Sequence, residues 1–324
     1  MELLTYLSSL SIPNLFSRMP AAAAQGIIWG IMALGVYITF RLLNVSDLTV
    51  DGSFATGGAV TVMLLLRGLP AWAALLIAVL VGLLTGLCTG LLHTKFGIPA
   101  ILAGILTQFA LYSINLRIMG KANQTASIKN FGMFWETNGK GFLMSSLYVP
   151  QALIAGLLLS AALVALLYWY FGTEQGSAMR ATGANPSMSR AQGINTSFNV
   201  VLGLAVSNGL VALSGALLSQ YQGFADVSMG RGAIVIGLAA VIIGEALFSR
   251  IFHNFALKLV SVSLGAIIYY IVIQLVLTLG FDANLLKLLS ASVVAVFLAV
   301  PYWKSKYFAK PAAKKAQKED AKNA

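Results

Sequence analysis

The sequence GTEQGSAMRATGANPSMSRAQGIN, residues 172–195, is a polar island between two long apolar runs, and the fold is organised around it. Ala, Met and Arg favour helix on both sides of a turn-forming patch at 183–186, so the sequence predicts two short helices joined by a tight turn. Arg180 and Arg190 stay charged only where water reaches them, and the positive-inside tendency then places the segment on the cytoplasmic side of a membrane. We call residues 172–195 the hairpin. Its small, rigid form suits docking to another protein.

The hairpin also resembles the coupling segment of ATP-binding-cassette importer permeases of the branched-chain amino acid and ribose type. In that family Arg-Ala-x-Gly-x-Asn, followed by Ala and by Gly-Ile-Asn, precedes the next transmembrane helix. The matching residues here are Arg180, Ala181, Gly183, Asn185, Ala191, Gly193, Ile194 and Asn195. A weaker likeness extends over roughly residues 21–302. The plainer alternative is an ordinary cytoplasmic loop of an unrelated transporter.

The resemblance implies a transport subunit that is not an enzyme and works with several partners. A separate ATPase subunit would grip the hairpin and would itself hold ATP and Mg, so this chain is expected to bind no cofactor and no metal. The residues expected to couple to that ATPase are Met179, Arg180, Gly183, Asn185, Pro186, Arg190, Ala191 and Gly193. The other implied partners are an extracytoplasmic substrate-binding protein and a second permease copy or close paralogue.

Composition alone indicates an integral membrane protein, because 58% of the 324 residues are hydrophobic and only 10% are charged. The net charge of +11 does not point to nucleic acid, since seven of the 21 Lys and Arg residues lie between Lys304 and Lys322. A basic tail at 304–324 instead marks the cytoplasmic side and contacts lipid headgroups. The sequence therefore predicts a multi-pass protein of the bacterial inner membrane with a cytoplasmic C-terminus. Cys88, alone in an apolar run, is expected to be a small core residue.

Nine apolar runs are candidates for crossing the membrane, which predicts an all-α protein of about nine spans, within a range of eight to ten. They are residues 22–43, 54–66, 72–92, 99–119, 149–171, 198–219, 233–248, 257–279 and 285–302. The runs 54–66 and 233–248 are too short to cross alone, and each follows a polar stretch containing Gly. This pattern predicts discontinuous or re-entrant helices. Residues 1–20 are expected to form an interfacial segment, with a short helix at 3–16 broken at Pro13, ahead of a transmembrane domain at 21–303.

An internal repeat relates the two ends of that domain. Asp47-Leu48-Thr49-Val50 is matched by Asp226-Val227-Ser228-Met229 at an offset of 179 residues, and 97–100 is matched by 280–283 at an offset of 183. In each case a long span precedes and a short one follows. Because five membrane segments separate equivalent positions, the halves at about 21–119 and 198–303 would have opposite orientations. Chance similarity of small polar turns is the alternative.

Polar groups at membrane depth are costly and are therefore candidates for lining the transport path. The predicted path residues are Asn44, Asp47, Thr49, Asp51, Ser53, Gln108, Asn208, Asp226 and Ser228. The alternative role for the three aspartates is capping, in which each carboxylate accepts backbone N–H bonds at the start of a helix. Both roles can hold together.

Other features carry weaker predictions. Glu245 is expected to pair with Arg250 or with a partner subunit, and Gly82, Gly86 and Gly90 form a small-residue ridge for close helix packing within the subunit or across a dimer. The loop at 120–148 either anchors at the interface through its aromatic residues or docks a binding protein. No phosphate-cradling GxxxxGK[ST] loop occurs, so ATP is not bound by that route.

Two functional hypotheses follow. The first is an importer permease that translocates a small solute; residues 44–53 look most like permeases found beside amino-acid-type binding proteins, which implies an amino acid, while a sugar or nucleoside stays open. The second is an ion- or proton-coupled secondary transporter, whose titrating carboxylates would be Asp47, Asp226 and Glu245.

Overall fold

The structure, a computed structural model, describes residues 12–126, 143–248, 252, 254–278, 288, 291–292, 294–296 and 299, and the side chains from residue 18 onward. Its helices are α1 (Ile12–Tyr37), α2 (Thr49–Leu66), α3 (Ala71–Thr94), α4 (Ala100–Met119), α5 (Val149–Gly172), α6 (Glu174–Ala184), α7 (Pro186–Ala191), α8 (Thr196–Gln222), α9 (Ala233–Phe248) and α10 (Phe255–Thr278). A π-helix, Ile38–Leu42, continues α1, and the strands β1 (Asn123–Thr125) and β2 (Phe224–Asp226) form one antiparallel pair. Eight of the nine predicted apolar runs are thus helices, and the all-α membrane fold is confirmed.

Seven described helices are long and apolar enough to cross a membrane, and three of them form the centre of the bundle. The apolar windows of α1, α2 and α8 are 83%, 78% and 78% buried, whereas those of α3, α4, α5 and α10 are only 22–39% buried. The outer helices expose large apolar side chains such as Leu76, Leu80 and Leu84 on α3. Such faces suit contact with lipid or with another membrane subunit, because exposing a large apolar surface to water is unfavourable.

The predicted glycine ridge packs within the subunit. An added Cβ at Gly86 would collide with the backbone of α8 at Leu204 and Ala205, and Gly82 and Gly90 lie against α8 in the same way. Small residues therefore let the two backbones approach closely. Since Gly90 near the end of α3 lies beside Val201 near the start of α8, these helix ends share one face of the bundle with the hairpin. We call this face the hairpin end.

Hydrogen bonds between the central helices agree with the inverted repeat. Ser207 on α8 donates to the carbonyl of Gly35 at 2.7 Å, and Ser214 donates to the carbonyl of Ile28 at 2.8 Å. At the offset of 179, Ile28 corresponds to Ser207 and Gly35 to Ser214, so the two contacts join equivalent pairs of positions, although in both the serine of α8 is the donor. The halves also pack alike, with α3 lying on α8 as α10 lies on α1. The second match, 280–283, and the last predicted span fall largely outside the described residues.

Two predictions about segment limits or burial are wrong, the start of the second span and the burial of Cys88. The second span begins at Thr49 and not at residue 54, so α2 has 18 residues and is long enough to cross; its polar first turns are tolerated because their side chains find partners in the interior. The predicted short helix at 3–16 lies largely outside the described residues, and the described helix begins at Ile12 and continues through Pro20 into the first span. Cys88 is exposed on the apolar face of α3, not in the core.

Candidate functional site

The hairpin has the two predicted short helices, but Asn185 alone separates them, because the other residues of the predicted turn at 183–186 are helical. Thr173 begins α6 and accepts a hydrogen bond from the Gly176 N–H at 3.3 Å. Asn185 ends α6 and caps α7, accepting from the Met188 N–H at 3.0 Å and from the Ser187 hydroxyl at 2.7 Å. Asn195 caps α8 in the same way. The helix boundaries are therefore fixed by side-chain caps, which make the segment a defined shape and not a loose loop.

The inner face of the hairpin is fastened to the bundle. Met179 is fully buried in an apolar cluster with Leu43. Gly183 lies so close to the π-helix that an added Cβ would overlap the carbonyl oxygen of Leu42. Asn199 on α8 accepts from the Gln175 amide at 2.7 Å and donates to the Thr182 hydroxyl at 2.9 Å. Of the predicted coupling residues, Met179 and Gly183 thus face the bundle and can act only by positioning the hairpin.

The outer face of the hairpin is exposed. The predicted residues Asn185, Pro186, Arg190, Ala191 and Gly193 lie there, and Arg180 is exposed with its guanidinium 5.3 Å from the centre of the Phe255 ring. Sequence reasoning missed Met188, whose side chain is 59% exposed between Ser187 and Ser189. Met and Arg are both enriched in protein interfaces. A lone apolar residue on a short polar helix was the available signal.

Beside the hairpin, an ion pair joins the two halves. Arg41 in the π-helix donates to both carboxylate oxygens of Glu245, through Nε at 2.8 and 3.0 Å and through Nη2 at 2.6 Å. The expected partner Arg250 lies outside the described residues, so the pairing observed is with Arg41. The two side chains line a cavity of about 790 Å³ at the hairpin end, together with Tyr37 and Lys258. Single π-helical turns are frequent at functional sites.

Four of the predicted path residues form one interior network. Asn208 donates to Asp47 at 2.7 Å and accepts from Ser53 at 2.6 Å, while Ser53 also bonds Thr85. Thr49 meets Thr89, which in turn bonds Thr107. Each of the four predicted residues is at most 3% exposed. In the connection between the first two spans, burial raises the pKa of the Asp47 carboxyl, against hydrogen bonds from Thr49 and Asn208 that lower it.

All three aspartates accept backbone N–H bonds, as the capping alternative predicts. Asp47 accepts from Thr49 at 2.8 Å and Asp226 accepts from Ser228 at 2.6 Å, so the two repeat positions have the same turn. Asp51 reaches across to the other half, where its carboxylate oxygens accept from the N–H groups of Gly232 at 2.9 Å and Ile234 at 3.0 Å. The start of the 16-residue helix α9 is therefore capped from α2.

The remaining path residues lie apart from the network. Asn44 is exposed at the hairpin end with a left-handed φ of 55°. Gln108 lines a cavity of about 360 Å³ between α2, α4 and the segment 227–231. This cavity is lined by Asp51, Gly52, Ala55, Gln108, Phe109, Tyr112, Asn115, Val227 and Arg231. The structure thus separates the predicted path residues into a buried network, a turn at each repeat position and a cavity.

Comparisons with known proteins agree with this architecture. A family model described as branched-chain amino acid transport system / permease component matches residues 19–301. The chain is 39% identical to a tyrosine transport system permease protein of Clostridioides difficile over 279 residues, which are 85% of this chain and 88% of that protein. It is 34% identical over 280 residues to an uncharacterised protein of Rickettsia prowazekii (86% and 95% of the two chains), and 28% identical over 253 residues to a fructose import permease protein of Bifidobacterium longum (77% and 68%). No solved structure matches.

The family resemblance carried by the hairpin is therefore confirmed over most of the chain. The match covers the described spans, and more than four fifths of the chain aligns with each of two relatives above 30% identity. The chain belongs to the family of branched-chain amino acid transport system permease components, the membrane-spanning parts of ATP-binding-cassette transport systems.

Proposed function

We propose that this chain is the pore-forming subunit of an ATP-binding-cassette importer in a bacterial inner membrane, and that its solute is an aromatic amino acid. An ATPase subunit carrying ATP and Mg docks on the outer face of the hairpin. A second permease copy completes the pore, and an extracytoplasmic binding protein delivers the solute at the end opposite the hairpin. With the hairpin in the cytoplasm, the basic tail is cytoplasmic as well.

The observation that carries this proposal is the two-sided construction of the hairpin. Its outer face offers Met188, Arg190 and the turn at Asn185 to a partner, while its inner face rests on the bundle through Met179 and Gly183. A rigid segment of this kind transmits a push from a docked subunit because its contacts to the core have little freedom to slip. This chain supplies the docking segment, and nucleotide binding by the ATPase subunit supplies the free energy for the conformational change.

The choice of solute rests on the relative named as a tyrosine transport permease. A sugar is the second candidate, because another relative is named as a fructose import permease, although at 28% identity. An ion-coupled transporter needs carboxylates free to titrate. Here Asp47 accepts from Thr49 and Asn208, Asp226 accepts from the Ser228 N–H and Glu245 is paired with Arg41, so each of the three candidates has a structural partner, which favours the importer.

The test uses the hairpin's outer face. The double variant Met188→Asp with Arg190→Glu changes two exposed side chains and leaves the caps at Thr173, Asn185 and Asn195 in place. The control Lys95→Glu reverses an exposed charge at the same end of the bundle, outside the hairpin. The wild type, the double variant and the control are each expressed in the native bacterium and purified, and co-elution of a P-loop ATPase is measured. ATP-dependent tyrosine uptake is then measured in proteoliposomes to which the binding protein is added.

The expected result is that the ATPase and the uptake are lost together in the double variant and kept in the control. Tyrosine uptake that continues without any ATPase, driven by a proton or sodium gradient, would refute the importer. Uptake of fructose in preference to tyrosine would transfer the proposal to the sugar.

A further inference from the structure

The cavity between α2, α4 and residues 227–231 has the construction of a binding site. Gln108, Tyr112 and Asn115 recur at helical spacing, so one stripe of α4 contributes all three side chains. The small residues Gly52 and Ala55 of α2 also line the cavity, and Gly52 lets α2 pack closely on α4, where an added Cβ would meet Leu111 and Gln108. Its volume of about 360 Å³ lies within the range of small-molecule pockets, which starts at about 300 Å³.

Asn115 provides the strongest indication of a ligand. Its side chain is 1% exposed, and neither its amide nitrogen nor its amide oxygen has a hydrogen-bond partner in the described part of the chain. Leaving such a group unpaired costs about 1–3 kcal/mol, and most buried polar atoms are satisfied. An amide that lines a cavity and lacks a protein partner is available to a polar ligand.

The charges around the cavity match an amino acid. Arg231 is exposed and lies 6.0 Å from the centre of the Tyr112 ring, and it forms no ion pair within the described ranges. Asp51 is also on the cavity wall, and a carboxylate has about four acceptor positions, so the backbone N–H groups at the start of α9 do not use its full capacity. A cation and an anion without a direct contact, with an unsatisfied amide, offer one partner to each end of a zwitterion. Phe109 and Tyr112 add aromatic surface.

We propose that this cavity is a binding site for the transported amino acid within the permease, in which Arg231 binds the α-carboxylate, Asp51 and Asn115 bind the α-ammonium, and the α4 aromatic residues contact the ring. This inference rests on the proposed function for the identity of the solute. Such a site adds a second selection step after the binding protein, because the permease itself then distinguishes an α-amino acid from a neutral sugar of similar size.

Saturation-transfer NMR on the full chain in nanodiscs, without the binding protein, tests the site because the method detects weak ligands. The probes are L-tyrosine, tyramine, which lacks the carboxylate, 4-hydroxyphenylpropionate, which lacks the amine, and fructose. Tyrosine at millimolar concentration is expected to give signal, and each analogue that lacks one charged group is expected to bind at least ~10-fold more weakly. Fructose is expected to give none.

Two variants locate the binding. Arg231→Gln removes the guanidinium, and Asn115→Leu replaces the unpaired amide by an apolar group of similar size; each is expected to weaken tyrosine binding ~10-fold or more. The matched controls are Arg117→Gln and Ser113→Ala, which alter exposed residues of the same helix that do not line the cavity. Arg231→Lys keeps the charge and is expected to retain part of the binding. Thermal unfolding of each variant separates loss of binding from loss of fold.

The proposal is overturned if tyrosine gives no signal, if tyramine binds as well as tyrosine, or if the folded variants and controls bind alike. Its failure is distinguishable from failure of the importer assignment. Loss of tyrosine binding in the cavity variants, with no ATPase dependence of uptake, would keep the site and reject the importer. ATPase-dependent uptake that is unaffected by the cavity variants would keep the importer and reject the binding site.

Discussion

Replacing Gly183 by Ala should loosen the hairpin from the bundle. The new methyl carbon would overlap the carbonyl oxygen of Leu42, and this oxygen belongs to the backbone of the π-helix and cannot rotate away. Restoring a normal contact requires the two segments to separate by more than about 1 Å. Overpacking of this kind costs about 1–3 kcal/mol. If that cost falls on the docked position of the hairpin, the docking equilibrium changes by about 5- to 150-fold.

Hydrogen exchange measures this change directly. The amides of α6 should exchange faster in Gly183→Ala by a factor in that range, while those of α8 stay protected. The control is Gly172→Ala, at the end of α5, where an added Cβ meets no atom within 4 Å and φ is not positive. In the importer proposed above, Gly183→Ala should also lower the amount of solute transported per ATP hydrolysed, because a loosely docked hairpin transmits less motion to the bundle.

Equal exchange of α6 in the two alanine variants would refute the reasoning. It would mean that the π-helix shifts to accommodate the methyl group and that the close approach at Gly183 is not what holds the hairpin. Faster exchange throughout α6 and α8 in Gly183→Ala would instead show general unfolding, and the transport ratio would then report stability and not coupling.

Two contacts between the halves and the membrane side of the hairpin can each be tested. Asp51→Ala should lower stability by about 1–3 kcal/mol, because the N–H groups of Gly232 and Ile234 at the start of α9 lose their acceptor; an unchanged Tm relative to Ser113→Ala would contradict the cap. For Arg41 and Glu245, whose side chains are 54% and 29% exposed, a double-mutant cycle of Gln variants should give a coupling of only about 0.2–1 kcal/mol, and a value near zero would remove the pair from the account. In a Cys88→Ala background, Ser187→Cys should react with a membrane-impermeant maleimide in inverted vesicles and not in intact cells; labelling in intact cells would place the hairpin outside.

The hairpin could be predicted from sequence because its signals are local. Asn185 and Asn195 stand at the starts of helices, where their side chains replace missing backbone partners, and Pro186 occupies the first turn of α7. The repeat was visible for the same reason, since Asp47 and Asp226 make the same two-residue turn. Such short-range chemistry needs no knowledge of the distant chain.

The start of α2 and the partner of Glu245 could not be predicted in this way. A polar run at 44–53 reads as an unwound stretch until Asn208, more than 150 residues away, is known to satisfy Asp47 and Ser53. Glu245 meets Arg41 across 204 positions, while the nearer Arg250 was the obvious choice from sequence. The cavity depends on three separate segments and on an amide left unpaired, which only the assembled bundle reveals.

The contact between Asp51 and Gly230 explains why the two halves of the repeat differ. These residues correspond at the offset of 179, and Gly230 packs directly on the backbone carbonyl of Asp51, so equivalent positions meet near the pseudo-two-fold axis. A Cβ at position 230 would overlap the carbonyl oxygen of Asp51, so glycine allows this close approach. The Asp51 carboxylate in turn accepts from the N–H groups of Gly232 and Ile234. The first half consequently keeps a continuous helix from Thr49, whereas in the second half the helix begins only at Ala233. The non-helical residues 227–231 of the second half form one wall of the cavity. The proposed binding site therefore arises where the second half departs from the helical structure of the first.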